Sequence, residues 1–430
     1  MEDILILGAG ITGLSAGIGA KGTIYEAGNM SGGICSSYYV TVDGKEQFRR
    51  VNEDSYRFEI GGGHWIFGSD KTVLAFINAL SPVKHYERKS SVYFPELNLY
   101  VPYPLQNHLF YLPEKIKKKA LAEILKTEIR DVSTLADWLE INFGKTLCEL
   151  FFFPFHELYT AGLYKTIAPQ DKFKTPVNKE LIVQGAKEPP PAVGYNATFV
   201  YPNEGLDDLI RKMTEQCKVD FNKKVVKINL KKNDLWLDDG SKIKYQSVIS
   251  TLPLNKMVEM ADITIGTTDP YTSVLVVNIG ATKGDKCPDD HWIYTPQNKS
   301  GFHRVGFYSN VDSSFLPASS RLTNDRVSIY VEKAYPGSKK PTEKEIVKLC
   351  NDIVLELIGW GFIKATEVIS HTWIDIAYTW QYTDSNWKER ATAILKENKI
   401  YQTGRYGKWK FQGVAESIND GLNAKRDLGI

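Results

Sequence analysis

The chain has 430 residues, too many for one hydrophobic core, so two or three domains are expected. A net charge of +2 with dispersed bases gives no electrostatic case for nucleic acid or an acidic membrane. Five scattered cysteines with neither C-x-x-C nor metal-ligand spacing argue against a disulfide framework or a metal site and fit a reducing, cytoplasmic setting. No apolar stretch is long enough to cross a bilayer, and an opening core strand leaves no room for a signal peptide.

Ile4 to Leu7 form an unbroken apolar run, as expected of a strand buried on both faces of a parallel sheet. Gly8, Gly10 and Gly13 follow at G-x-G-x-x-G spacing around Ile11 and Thr12, and Leu14 to Ala20 read as a helix. Gly8 permits the tight turn, Gly10 lets main-chain N–H groups approach a pyrophosphate, and Gly13 lets helix and strand pack closely. The helix N-terminus adds unsatisfied donors and partial positive charge. Glu26 closes the next apolar pair, where a strand-end carboxylate accepts hydrogen bonds from a ribose. Strand, turn, helix, strand and acid in that order predict a dinucleotide site.

A second glycine pair, Gly32 and Gly33, comes six residues after the acid, with Ser36 close behind. Nicotinamide dehydrogenases have no need of it. It resembles the element of glutathione-reductase-type flavoproteins that wraps the pyrophosphate and ribityl chain of FAD. A third cluster, Gly61, Gly62 and Gly63 before His64, is similar to the loop beside the isoalloxazine in the same superfamily. Cys35, inside the second cluster, reads as a small buried thiol near the cofactor.

The expected fold class is α/β. A Rossmann-like, FAD-binding domain in three pieces (1–84, 201–260, 400–430) carries an antiparallel-sheet substrate domain (85–105, 261–399) and a helical insertion (106–200). The insertion reads as helices over 112–129 and 132–143, an aromatic run from Leu150 to Phe155, and a linker at Pro189–Pro191. Residues 219–228 read as one strand. Val225 matches the flavoprotein strand whose backbone contacts adenine, and Thr251 ends the strand stopped by Pro253. The stretch 265–395 looks strand-rich, with clear strands over 273–279 and 326–331.

Four segments outside the FAD motifs resemble the UDP-galactopyranose mutases, members of the wider amine oxidase and protoporphyrinogen oxidase superfamily. They are Ile60–Phe67; Val101-Pro-Tyr-Pro104-Leu-Gln106-Asn107; Trp292-Ile-Tyr294 with Phe302-His-Arg304; and Gly404-Arg405 through Phe411 and Ser417. The resemblance implies reduced-flavin chemistry: flavin N5 attacks the anomeric carbon of a nucleotide sugar, expels the nucleoside diphosphate, and the sugar recloses with the other ring size. With no cysteine or histidine in a recognisable attachment motif, FAD is expected to be held non-covalently, and NAD(P)H or dithionite is the expected source of reducing electrons.

The resemblance implies that Arg304 grips the diphosphate with its planar fork, helped by Tyr294 and Tyr378. A surface salt-bridge partner in a strand is the other reading of Arg304. It implies that His64 lies against the flavin, where a packing residue at a loop end is the alternative. Gly404 and Arg405 belong to the element closing over FAD, and the last helix, from near Ser417, points its N-terminal donors at the flavin.

The chain departs from the mutases in three places. It has no arginine between Arg130 and Arg211, where their second diphosphate arginine lies, so Lys165, Lys172, Lys174 or Lys179 must substitute if anything does. Val311 and Phe411 stand where tyrosines reach the phosphates. These departures open a second function, an FAD-dependent oxidoreductase of the amine oxidase or protoporphyrinogen oxidase type acting on an apolar or amine substrate. Phe151 to Phe155, Trp373, Tyr378, Trp380, Tyr382 and Trp387 would wall its cavity, unless they are core.

Overall fold

In the computed structural model the strand Glu2–Leu7 pairs in parallel with Thr23–Tyr25 on one side and Lys242–Ser250 on the other. Leu5 and Ile6 are fully buried, which explains the uninterrupted apolar run. The structure describes residues 2–49, 53–68, 70–126, 131–169, 177–190, 197–427 and 429. Two further strands extend the parallel part: Lys218–Asp220 pairs with Thr23–Tyr25, and Ile400–Gln402 with Lys242–Ser250. An antiparallel pair, Val225–Asn229 and Asp234–Leu237, completes this sheet. The stretch 219–228 is thus two strands and not one. Asn222, at φ 56°, turns the chain between them.

The second sheet has the order Ile363–Thr379, Tyr271–Lys283, Arg326–Pro336, Arg304–Phe307, Trp292–Tyr294, Ser90–Phe94, Leu99–Pro102. It is antiparallel throughout except that Trp292–Tyr294 and Ser90–Phe94 run parallel. That exception arises because Ser90–Phe94 and Leu99–Pro102 form a hairpin that joins the sheet edge as a unit. The stretch 265–395 also holds two long helices, besides the short Tyr308–Val311. Glu343–Gly359 buries Ile346, Cys350, Ile353 and Leu357 against the second sheet, and Trp387–Glu397 packs on the core of the first.

The insertion contains helices Glu114–Leu125, Leu135–Leu147, Phe153–Tyr159 and Lys179–Lys187 around buried Phe143, Phe151 and Phe152. Residues 127–129 of the first expected helix, and Pro191 of the expected linker, lie outside the described residues. One core runs continuously from Ile6 and Leu14 of the first sheet and its helix to Tyr308 and Tyr330 of the second. Among the described residues, no helix is long and apolar enough to cross a membrane.

Candidate active site

The turn after Glu2–Leu7 is built as its glycines dictate. Gly8 adopts φ 92°, and a Cβ on Gly13 would lie 1.8 Å from the Gly8 carbonyl oxygen. At Gly10 a Cβ would meet nothing within 4 Å, because the main chain there faces an open cavity. The helix Ile11–Ala20 starts at this point with no side-chain cap, leaving its first N–H groups directed at the cavity. Glu26 accepts from Ala9 N at 2.7 Å and Gly28 N at 2.8 Å, which fixes its carboxylate on the same wall.

This inner cavity, of about 370 Å³, runs from Gly8, Gly10, Gly32 and Gly33 to Gly61, Gly63 and His64. Ile11, Thr12, Glu26, Thr251, Arg405 and Ser417 also line it. Several buried polar atoms at its walls have no partner among the described residues: Tyr406 Oη, Gln412 Oε1 and Arg304 Nε. An elongated cleft with bare main-chain donors at one end and orphaned polar groups at the other fits FAD. The remaining expected positions stand behind the wall. Gly13 packs on the turn, Ser36 Oγ donates to Ser31 O at 2.7 Å, and Gly62 packs towards Glu332. Gly404 packs on Thr12, and Val225 is buried at the start of its strand, in the second core.

His64 lies on the cavity wall, with Nδ1 3.2 Å from Gly62 O of its own loop. Burial pushes its imidazole down to about 4, so the ring is neutral at ordinary pH. Arg405 spends its guanidinium on carbonyls, Nη1 to Gln412 O at 3.1 Å and Nη2 to Ala377 O at 2.8 Å. It stacks over Phe411 and Tyr378. These contacts tie the end of strand Ile363–Thr379 to the chain's last segment. The closing helix, Val414–Leu422, then presents Val414 and Ser417 to the cavity.

A second, outer cavity of about 540 Å³ abuts the first, and Gly63, Trp65, Arg304, Tyr378, Phe411 and Gln412 belong to both. Arg304 is the charged residue of that shared wall. Its Nη2 donates to Glu332 Oε1 at 2.5 Å and Oε2 at 2.6 Å, from the residue directly opposite on the neighbouring strand. Burial works against both charges, yet the pairing more than offsets it: Arg304 is held well above its ordinary value and Glu332 down to about 2. Arg304 is therefore a salt-bridge partner in a strand, but a partly buried one, with 21% of its side chain exposed, that lines both cavities. His303 lines the outer cavity, with Nε2 3.4 Å from Glu332 Oε2.

Tyr294 and Tyr378 also line the outer cavity. Burial pushes the Tyr378 hydroxyl up to about 12, so it stays protonated. The opposite wall comes from the insertion. Gly144, at φ 73°, interrupts helix Leu135–Leu147, and the wide turn Cys148–Phe152 that follows presents Phe151 and Phe152 to the cavity. Phe155, His156 and Tyr159 of the next helix complete it. Lys165 is instead exposed and paired with Glu157 at 2.8 Å, and Lys179 is exposed at the start of its helix, away from the cavity wall. Lys172, Lys174 and Arg130 lie outside the described residues. Lys410 is a cation on the outer wall that the sequence reading does not single out.

Of the aromatics expected around a pocket, Phe151, Phe152, Phe155 and Tyr378 line it, and Phe153 packs on Tyr164. Trp380 and Trp387 are buried in core clusters, Trp373 packs on Tyr335, and Tyr382 stands outside the cavity walls. Val311 is buried in the main core, whereas Phe411 reaches both cavities. Besides Lys410, Glu332, His303, Gln412 and Tyr159 are among the site residues that escape the sequence reading. His303 and Gln412 stand beside singled-out residues, but nothing local marks Glu332 or Tyr159.

The sequence profile of the family described as flavin containing amine oxidoreductase matches residues 9–427. A reduced UDP-galactopyranose mutase superposes with a TM-score of 0.84 at 23% identity, covering 100% of this chain and 96% of that one. A putrescine oxidase double mutant gives a TM-score of 0.62 at 16% identity, covering 99% and 98%. The CLA-producing fatty acid isomerase from P. acnes gives 0.61 at 14%, covering 100% and 99%.

Proposed function

The chain belongs to the flavin containing amine oxidoreductase family, and from that premise we propose a mutase of the UDP-galactopyranose mutase kind, interconverting pyranose and furanose forms of a nucleotide sugar. FAD is the cofactor the family implies. When bound and reduced, it supplies the nucleophile for the anomeric carbon. The observation that carries the reading is Arg304: a partly buried guanidinium where the two cavities meet, held by Glu332 through Nη2, with Nε unpartnered among the described residues.

The chain's own residues divide the work. The main chain at Gly8 to Thr12 and at Gly32–Gly33 would hold the cofactor pyrophosphate, Glu26 would accept from its ribose, and neutral His64 would be the side chain nearest its redox-active part. Glu332 fixes one side of Arg304, so the free edge of the fork meets a diphosphate in one orientation as it leaves and returns. Tyr294 and Tyr378 donate hydrogen bonds beside it, and Lys410 supplies the second positive charge. Phe155, Tyr159 and Trp292 exclude water, which strengthens every charge interaction inside.

Dithionite-reduced holoenzyme mixed with UDP-galactopyranose tests the proposal. We expect the furanose form to accumulate with no net redox change, UDP to perturb the flavin spectrum, and Arg304→Ala to abolish both. Absence of ring interconversion, with UDP leaving the spectrum untouched, would sink it. One observation favours a second reading, an oxidoreductase: Glu332 cancels the charge of Arg304, and the other walls are largely aromatic. That enzyme would be bleached without oxygen by a neutral or cationic organic substrate and would ignore UDP.

A further inference from the structure

The aromatic wall of the outer cavity belongs to a helical stretch that starts twice. Leu135–Leu147 breaks at Gly144, at φ 73° and ψ 164°, and the chain restarts there as a new helix. Through the wide turn Cys148–Phe152 and on to Tyr159, it brings Phe151, Phe152, Phe155, His156 and Tyr159 to the cavity. A restarted helix has bare N–H groups in its first turn, and Gly144 carries no side chain to cap them. Nor is there room for one, since a Cβ on Gly144 would lie 2.6 Å from the Glu123 Cβ. The cap comes instead from Glu123, in the neighbouring helix Glu114–Leu125. Its carboxylate accepts from Thr146 N at 2.7 Å and Thr146 Oγ1 at 2.8 Å, at the positive end of the restarted helix.

A wide turn holds one residue more than a regular turn, and slipping that residue out rotates what precedes it by about 100°. Downstream, Pro154 stands in the first turn of Phe153–Tyr159, where its fixed φ suits the helix, and His156 Nδ1 donates to Phe152 O at 2.7 Å. Upstream, the Glu123 cap holds Thr146. Phe151 and Phe152 lie between these two pins. Phe151 stacks on Phe155 with ring centroids 5.4 Å apart, and Phe155 meets Tyr294 edge-on at 5.2 Å. A rotation at Phe151 is therefore felt across the cavity.

We infer that Glu123 is a positioning residue of the outer cavity, the external cap that keeps Phe151 and its stacked neighbour facing the ligand. The inference rests on the outer cavity being the substrate site. None of the described insertion residues lines the inner cavity, so loss of the cap leaves the cofactor's walls in place.

Three variants separate the cap from the fold. Glu123→Ala removes both hydrogen bonds, Thr146→Val removes only the hydroxyl one, and Glu123→Gln keeps an acceptor for Thr146 N. The probe is UDP-galactopyranose, titrated against the flavin absorbance of oxidised holoenzyme. Glu123→Ala should bind about fivefold more weakly at the parent's flavin content, the scale of one lost cap, and Thr146→Val about twofold. Glu123→Gln should match the parent. Parent affinity in Glu123→Ala, or flavin lost in step with affinity, would make the contact merely structural and overturn the inference.

A second measurement needs no ligand. In holoenzyme labelled with 4-fluorophenylalanine, the Phe151 resonance, assigned with Phe151→Leu, should move in Glu123→Ala and stay in Glu123→Gln. Should Glu123→Ala fail to fold, Thr146→Val carries both readouts. A Phe151 signal that the loss of the cap leaves unmoved overturns the inference whatever the sugar nucleotide does. If the parent ignores UDP-galactopyranose while the signal moves, the nucleotide-sugar reading falls and the positioning of the wall stands.

Discussion

Arg304 and Glu332 sit opposite each other on adjacent strands, and the carboxylate is 1% exposed. Removing one partner of such a pair strands a charge in low dielectric, whereas replacing both with apolar side chains strands nothing. Glu332→Gln should therefore cost about 3–5 kcal/mol in urea denaturation of the holoenzyme. The double variant Arg304→Met, Glu332→Met should recover most of that stability while still failing to respond to UDP. A Glu332→Gln loss below about 1 kcal/mol, the scale of an exposed pair, would show that water in the cavities screens the pair as it does at a surface. Only half of this pair is legible in the sequence. Arg304 stands in a segment with recognisable neighbours, but Glu332 is tied to it by sheet register across 28 positions.

The closing helix Val414–Leu422 lies on Ile11–Ala20 with almost no side chain between them. A Cβ on Gly421 would come within 2.3 Å of Thr12 O, and one on Gly19 within 2.5 Å of Leu422 O. Both helices start at the inner cavity, so this contact sets the distance between two of its walls. Gly421→Ala must part the helices, since the clash is with backbone. Overpacking of this kind costs about 1–3 kcal/mol. The expected result is a lower ratio of flavin to protein absorbance after purification and an earlier thermal release of flavin fluorescence. Flavin content and release equal to the parent's would show that the helices part freely.

Elements are legible where their signal is local. The glycine turn, its helix and the strand Tyr271–Lys283 show their periods and their punctuation. The wide turn Cys148–Phe152 has none, because the apolar run around it reads alike in any helix. Helix Glu343–Gly359 carries a capping box, Thr342 with Glu345, which the strand-rich reading of 265–395 leaves out.

Across the whole molecule, the pieces far apart in sequence meet at a buried polar seam behind the glycine loop that carries His64. Glu59 accepts from Tyr201 Oη and, at 3.1 Å, from Ser37 Oγ; Asp207 accepts from Tyr39 Oη at 2.5 Å, and Arg57 lies over Phe315. Thr372 of the second sheet donates to Ile60 O at 2.5 Å. None of this is legible in the sequence, since each partner belongs to a different segment. It gives the fold an unusual pH response.

Burial raises the Glu59 carboxyl from 4.5 to about 7, despite Arg57 beside it. The folded chain thus binds that proton more tightly than the unfolded chain. The resulting stability is complete below 4.5 and lost as pH rises through about 7. His64 and His291 run the other way. Burial lowers each from 6.5 to about 4, so their contribution is complete above 6.5 and lost as pH falls towards 4. His303 and His108, also lowered by burial, add to that loss. Glu332, held near 2, changes nothing until the pH is below 4.5.

Between about pH 4.5 and about pH 7 the carboxyl therefore offsets part of what the histidines take away. Glu59→Gln keeps the hydrogen-bonding shape but cannot take up a proton. Its unfolding free energy, measured in urea at steps across that window, should fall more steeply on acidification than the parent's. The two curves should diverge by an amount on the order of a few kcal/mol at the acid end. Parallel curves would mean that Glu59 is ionised throughout, with Arg57 outweighing burial.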